Sequence, residues 1–175
     1  MSLRHAALGL LAQHPASGYD LLQKFQRSMA NVWPANRSQL YGELGKLAAE
    51  GLIEVIDLGA RGRKEYKITE AGCAELLRWL TSPQDAPAFR SAQVLRVFLF
   101  GELTPVKARQ YLESLHSHAE REHARYMQIR DSHDWSGGDA DFFARAALEH
   151  GLRRMRMEAD WASWVVDGLD ERSKR

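Results

Sequence analysis

Asn36-Arg37-Ser38-Gln39-Leu40-Tyr41-Gly42-Glu43-Leu44-Gly45-Lys46-Leu47-Ala48-Ala49-Glu50-Gly51-Leu52 is the stretch on which the reading of this chain turns. Leu40, Leu44 and Leu47 fall on one stripe of a helix, while Ser38, Gln39, Gly42 and Lys46 fall on the opposite face, which is polar and has little bulk. Asn36 and Gln39 have capping-box spacing, and Gly51 supplies a C-terminal stop. The spacing therefore predicts a short helix bracketed at both ends and shaped to press against something. An ordinary amphipathic surface helix shares this pattern, so its neighbours decide.

Upstream, Leu3 to Ala12 predicts an apolar helix with Leu3, Ala7, Leu10 and Leu11 inward, stopped by His14-Pro15. Ser17-Gly18-Tyr19-Asp20 has the spacing of a second helix start, followed by Tyr19, Leu22, Phe25, Gln26 and Met29 at helical intervals until Trp33-Pro34. Downstream the period changes. Leu52 to Leu58 is rich in β-branched residues, Gly59-Ala60-Arg61-Gly62-Arg63 is a glycine-punctuated basic turn, and Lys64 to Thr69 alternates as a returning strand. Thr69 caps a helix from Glu70 to Leu80, whose Ala74, Leu77 and Leu80 are expected to pack inward. Three helices, a hairpin with a positive tip and a closing helix make a winged helix-turn-helix pattern.

With 175 residues, 45% of them hydrophobic, the chain can bury a core as one medium or two small domains. The single Cys73 excludes an internal disulfide framework and fits a reducing compartment, and it is expected to pack as a small hydrophobe. Without a membrane-spanning apolar run or a convincing secretory signal, a cytoplasmic location with no membrane partner is expected. A net charge of +1 provides no general attraction to polyanions, so a nucleic-acid role must rest on local basic groups.

Taken in order and spacing, Leu8-Gly9-Leu10-Leu11, Ser17-Gly18-Tyr19-Asp20-Leu21, Gln39-Leu40-Tyr41-Gly42-Glu43-Leu44, Glu50-Gly51-Leu52-Ile53 and Arg63-Lys64-Glu65-Tyr66-Lys67-Ile68-Thr69-Glu70-Ala71-Gly72 resemble the PadR family of bacterial transcriptional regulators. The similarity covers residues 3–81, and about 90–168 resembles, less distinctly, the virulence-activator alpha domain of the larger members. The resemblance implies a winged-helix DNA-binding fold, a homodimer held largely by C-terminal helices, and repression as the usual mode. Gly42 and Gly45 depart from it, standing where relatives often carry larger or basic side chains.

The residues support the same function independently. A helix enters the major groove only with a narrow, hydrogen-bonding face, which Ser38, Gln39, Gly42 and Lys46 provide. Gln39 is the expected base reader, its amide donating and accepting together against adenine. Arg37, Ser38, Tyr41 and Lys46 are expected on phosphates. Arg61, Arg63 and Lys64 at the hairpin tip could reach an adjacent backbone or minor groove, although a solvated turn would look the same.

The second half begins after Gln84 to Ala88, a Pro- and Ala-containing linker. Val94, Leu95, Val97, Phe98, Leu99 and Phe100 make a short helix apolar nearly all round, which predicts burial on both sides. Thr104-Pro105 starts a long helix in which Leu112, Leu115, Ala119, Glu122, Tyr126 and Ile129 have seam spacing, interrupted by Glu122. After the loop 133–139, with Asp139 as cap, a last helix carries two apolar stripes. Leu148, Leu152, Met155, Ala159, Ala162 and Val166 form one, and Phe143, Ala147, His150, Met157, Trp161 and Trp164 form the other. One stripe serves the chain's own core, and the other fits either a thicker core or a second copy. Leu112, Leu115, Met157, Trp161 and Trp164 are the expected dimer-interface residues. Phe89, Phe98, Tyr126, Trp161 and Trp164 could instead line a site for a small apolar or aromatic effector between the halves, against ordinary core packing of the same rings.

Enzymatic readings find little support. His116 and His118 point roughly 200° apart on one helix, so with His123, Glu120 and Glu122 they describe a solvated face rather than a metal site. No phosphate loop, dinucleotide motif or nucleophile elbow occurs, and no cofactor is expected. The expectation is a mainly α (α+β) protein with a winged helix-turn-helix domain over 1–83, a linker over 84–89, a helical dimerisation domain over 90–168 and a flexible polar tail over 169–175. As its function we expect a transcriptional regulator that binds double-stranded DNA at a palindromic operator as a homodimer. The alternative is a helical protein–protein interaction module.

Overall fold

The computed structural model describes residues 2–28, 36–59, 63–83 and 90–173, which fall into two compact units, Met1–Ala86 and Pro87–Arg175. Phe89, Arg61 and the expected linker lie outside the described residues, as does the side chain of Arg63.

In the first unit the order is α1 (Ser2–Gln13), β1 (Ala16–Ser17), α2 (Gly18–Ser28), α3 (Arg37–Ala49), β2 (Ile53–Gly59), β3 (Arg63–Ile68) and α4 (Glu70–Thr81). The strands form one antiparallel sheet in the order β1-β3-β2, with Ala16 opposite Tyr66 and Ile53 opposite Ile68. An irregularity between Val55 and Asp57 sets the β2–β3 hairpin's register beyond that point. The core is a single cluster drawn from every early element: Ala7, Leu8, Leu10 and Leu11 of α1, Ala16 of β1, Leu21, Leu22 and Phe25 of α2, Leu40, Leu44 and Leu47 of α3, and Ile53 of β2. α1 touches α2, α3, α4 and β3, so more than one of its faces is buried.

Two packing expectations change. On α2, Leu21 joins Leu22 and Phe25 inside, while Tyr19 and Gln26 face out. On α4, Ala74, Leu77 and Leu80 are exposed, and Cys73 with them. The helix instead presents Gly72, Leu76 and Trp79, because the Trp79 ring stacks on His5 of α1 at 4.4 Å and Gly72 presses on the carbonyl of Leu52. Both faces have helical spacing, and these two contacts choose between them.

The second unit holds α5 (Ala92–Phe98), a 3-10 turn (Phe100–Glu102), α6 (Pro105–Ser132) and α7 (Asp139–Ser173). α6 and α7 form an antiparallel hairpin about 40–50 Å long at 1.5 Å per residue, closed at one end by an Arg109–Asp170 ion pair. Along it Ala108, Leu112 and Ala119 of α6 and Leu152, Met155, Ala159 and Ala162 of α7 are buried. Near the turn Tyr126 lies against Gly151, where a side chain would meet the ring at 3.0 Å. Glu122, which breaks the apolar seam, is bound by Arg125 at 2.6 Å, and this contact holds its carboxyl below the usual range. α7 continues to Ser173, so the expected tail is helical from 169 to 173, where Asp170 is anchored. Gly138, at φ +84°, and not Asp139, precedes the helix, and its carbonyl accepts the N–H of Phe142.

α5 departs most from expectation. Val94, Leu95, Phe98 and Leu99 are exposed, Phe98 by 83%. An all-round apolar pattern predicts burial, but the described residues leave these four side chains uncovered.

Candidate nucleic-acid interface

The local sequence holds α3 rigidly at both ends. Asn36 Oδ1 accepts the N–H of Gln39 at 2.9 Å and Gln39 Oε1 accepts the N–H of Asn36 at 2.9 Å, a complete capping box. At the other end Gly51, at φ +70°, lets the N–H of Leu52 reach the carbonyl of Leu47 at 2.9 Å. Leu40, Leu44 and Leu47 are wholly buried, so the face bearing Ser38, Gln39, Gly42, Gly45 and Lys46 must point outward, and all five are exposed.

Each expected contact residue on this face has a distinct setting. The Arg37 guanidinium stands 5.4 Å above the ring of Tyr41. That ring packs against Gly18 at the start of α2, where a Cβ would lie 2.8 Å from it, so Tyr41 is half platform and half exposed edge. Lys46 pairs at the surface with Glu43 at 3.5 Å, a weak contact that its ammonium can exchange for a phosphate. A Cβ at Gly42 or Gly45 would meet nothing within 4 Å, so neither glycine is required by the chain's own packing. The Gln39 carbonyl oxygen accepts the Asn36 N–H in the cap with one of its two lone pairs, and the side chain is exposed on the outer face.

The wing is fixed to the end of α3 by a compact junction. The N–H of Thr69 donates to the carbonyl of Leu52 at 3.1 Å, and its hydroxyl donates to the carbonyl of Gly51 at 2.7 Å while accepting the N–H of Gly72 at 3.1 Å. Lys64, on the wing, is exposed.

Sequence reasoning missed the long-range polar contacts that hold this frame. Arg4 of α1 grips Glu50 just beyond α3, and its guanidinium holds that carboxyl below its ordinary range. Glu75 of α4 is likewise held low, first by Arg78 and then by His5 at 3.2 Å. Burial raises the Tyr66 phenol, with Tyr41 adding to the effect. Partners separated by 46 and 70 residues leave no local signal.

Of the expected dimer residues, Leu112 is corrected: it is fully buried in the chain's own α6–α7 packing and has no surface left to offer. Leu115 and Trp161 are partly buried, whereas Met157 and Trp164 are 58% and 72% exposed. The two stripes of α7 part in most of their members, with Leu152, Met155, Ala159 and Ala162 inside, Phe143, Ala147, His150, Met157 and Trp164 outside, and Leu148, Trp161 and Val166 partly buried. The aromatics proposed as an effector lining do not gather within this unit. Tyr126 lies against Gly151, roughly 15 Å of helix from Trp161, and Phe98 and Trp164 are exposed. Among the described residues no His, Cys, Asp and Glu cluster could hold a metal ion, and no helix is long and apolar enough to cross a membrane.

Two family descriptions match the chain: the transcriptional regulator PadR-like family over residues 7–78 and the virulence activator alpha C-terminal region over 89–170. The negative transcriptional regulator PadR of Bacillus subtilis is 26% identical, with 97% of this chain and 98% of that protein covered. A probable transcriptional regulator of Mycobacterium tuberculosis is 29% identical over 98% of this chain and all of that protein. The fold superposes on Bacillus subtilis PadR in complex with operator DNA with a TM-score of 0.85 at 25% identity, covering 97% of this chain and 99% of that one. The same relative has been crystallised with p-coumaric acid, again at a TM-score of 0.85. With both halves of the chain matched in this way, it belongs to the PadR-like family of transcriptional regulators, which are not enzymes.

Proposed function

We propose that this regulator binds a palindromic operator as a homodimer and represses transcription, with residues 1–83 contacting DNA and residues 90–168 holding the dimer. The observation that carries the DNA half is the outward face of α3, fixed by the buried Leu40, Leu44 and Leu47 and free of bulk at Gly42 and Gly45. Arg37, Ser38, Tyr41 and Lys46 supply the groups for phosphates, and the wing's Arg61, Arg63 and Lys64 reach the flanking backbone. The similarity to a PadR crystallised on its operator supports this reading.

The dimer half rests on the outer stripe of α7. Met157 and Trp164, with Leu115 and Trp161 at its border, make an apolar surface that a second copy would cover, and two-fold symmetry would place two α3 helices about one duplex turn apart, roughly 34 Å. A small aromatic effector also belongs to the proposal, because a similar PadR has been crystallised with p-coumaric acid. Differential affinity for two dimer geometries would let such a ligand release DNA.

The test is binding of the full-length chain to a duplex selected from a random pool and to unselected duplex, at two salt concentrations. Tight, salt-dependent binding with preference for the selected sequence is expected, and Arg63→Ala should weaken both duplexes and lower the salt slope by about one unit. Equal, salt-insensitive binding to both duplexes would refute the proposal and favour the interaction module.

A further inference from the structure

We infer that Gly18 positions the phosphate contact of Arg37: it seats the Tyr41 ring, and the ring carries the guanidinium. The inference rests on the DNA-binding reading above, in which Arg37 meets a phosphate. Leu40 and Leu44 are wholly buried, so the backbone that carries Tyr41 between them is pinned, and its ring meets the start of α2. A Cβ at Gly18 would stand 2.8 Å from Cε1, 2.9 Å from Cζ and 3.1 Å from Oη of Tyr41, and these are its three nearest atoms. Such distances lie well inside van der Waals contact, so a side chain at position 18 and the ring in its present place exclude one another. The backbone at Gly18 does not use the left-handed region, so conformation does not call for glycine here. The ring does.

One turn before Tyr41, the Arg37 guanidinium stands 5.4 Å from the ring centroid, within cation–π range. Among the described residues no carboxylate pairs with Arg37, so the ring face is what orders its long stem. A guanidinium ordered before binding loses less freedom when it meets a phosphate. Tyr66 of β3 belongs to the same corner: it pairs with Ala16, two residues before Gly18, and its phenol is raised by burial and then by Tyr41. With α2 and β3 beside it, a ring displaced by a Cβ at position 18 yields toward solvent, and the surface beneath Arg37 moves with it. Gly18 is itself buried, so its effect on binding passes through these two side chains of α3.

Gly18→Ala in the full-length chain tests this, with affinity for selected and unselected duplex measured over a series of salt concentrations. Its melting midpoint should stay within about 4 °C of the parent, because the atoms it displaces are the far end of a part-exposed side chain and alanine suits a helix better than glycine. Affinity at low salt should fall about fivefold on both duplexes, and the salt slope should drop by about one unit, as in Arg37→Ala, because an ordered phosphate contact is lost. Tyr41→Ala alone should lower the slope as far, and adding Gly18→Ala to it should change nothing further, since no ring remains to displace. Tyr41→Phe keeps the ring face without the hydroxyl and should hold the parent's slope. A Gly18→Ala chain with the parent's slope overturns the inference, as does a loss that persists undiminished in the Tyr41→Ala background. A larger fall in melting midpoint overturns it too, since glycine would then serve the fold, and a slope lost in Tyr41→Phe would give the role to the hydroxyl instead of the ring. A parent chain with no salt-dependent duplex binding would instead refute DNA binding itself.

Discussion

Replacing Gly72 by alanine tests the junction that fixes the wing to α3. The added Cβ would lie 2.1 Å from the carbonyl oxygen of Leu52 and 2.7 Å from Cγ1 of Ile68. A relaxed contact needs more than 3 Å, so the first turn of α4 and the Gly51–Leu52 turn must separate by roughly 1 Å. That movement strains two hydrogen bonds that cross the same gap, from Thr69 N–H to Leu52 at 3.1 Å and from the Thr69 hydroxyl to Gly51 at 2.7 Å. Overpacking of this kind destabilises by about 1–3 kcal/mol, and weakening the bonds adds about 1 kcal/mol. Alanine's better helix propensity returns about 1 kcal/mol. The net expectation is a loss of about 2 kcal/mol, or about 4–8 °C in melting midpoint for a chain of this size. Thermal unfolding followed by circular dichroism would read it, with duplex binding at low temperature as a second readout, because a tilted wing should weaken DNA contact even in the folded protein. A variant that melts with the parent would refute the close approach of α4 to Leu52 and the wing geometry built on it.

Gly42→Ala should act in the opposite sense, raising stability by up to about 1 kcal/mol because its Cβ meets nothing within 4 Å, while weakening binding to the selected duplex; denaturant unfolding and titration of the same sample would check both. Met157→Glu with Trp164→Glu should turn the proposed homodimer into a folded monomer in sedimentation, since both residues are exposed in the single chain, whereas Leu112→Ala should destabilise by about 2–5 kcal/mol without favouring the monomer specifically. On pH, Glu50 and Glu75 are held below their ordinary range by Arg4 and by Arg78 with His5. The unfolded chain therefore binds more protons in acid, so their contribution is complete at neutral pH and is lost as pH falls below about 4.5, the unperturbed value, through their lowered ones. Urea midpoints should fall over that window in the parent and fall less in Glu75→Gln.

Local patterns determined which elements this chain would form. The capping pair Asn36 and Gln39, the stop at Gly51, the leucine stripe of α3 and the change of period after Leu52 are all set within a few residues, so helix, turn and hairpin were legible. The same holds for α7, whose two stripes are 3.6-periodic whatever lies beside them. Only tertiary structure decided which of two eligible faces is used. α4 carries Ala74, Leu77 and Leu80 at one helical spacing and Gly72, Leu76 and Trp79 at another, and a ring stack on His5, 74 residues away, makes the choice. Leu112 lies on a stripe that would suit a partner or the chain itself, and the antiparallel fit of α6 on α7 gives it to the latter. The two-residue β1 is too short to have a period and exists because β3 offers it an edge. Gln39 shows both levels at once: its spacing from Asn36 foretold the cap, but that its side chain lies on an exposed face follows from the burial of Leu40, Leu44 and Leu47 beside it.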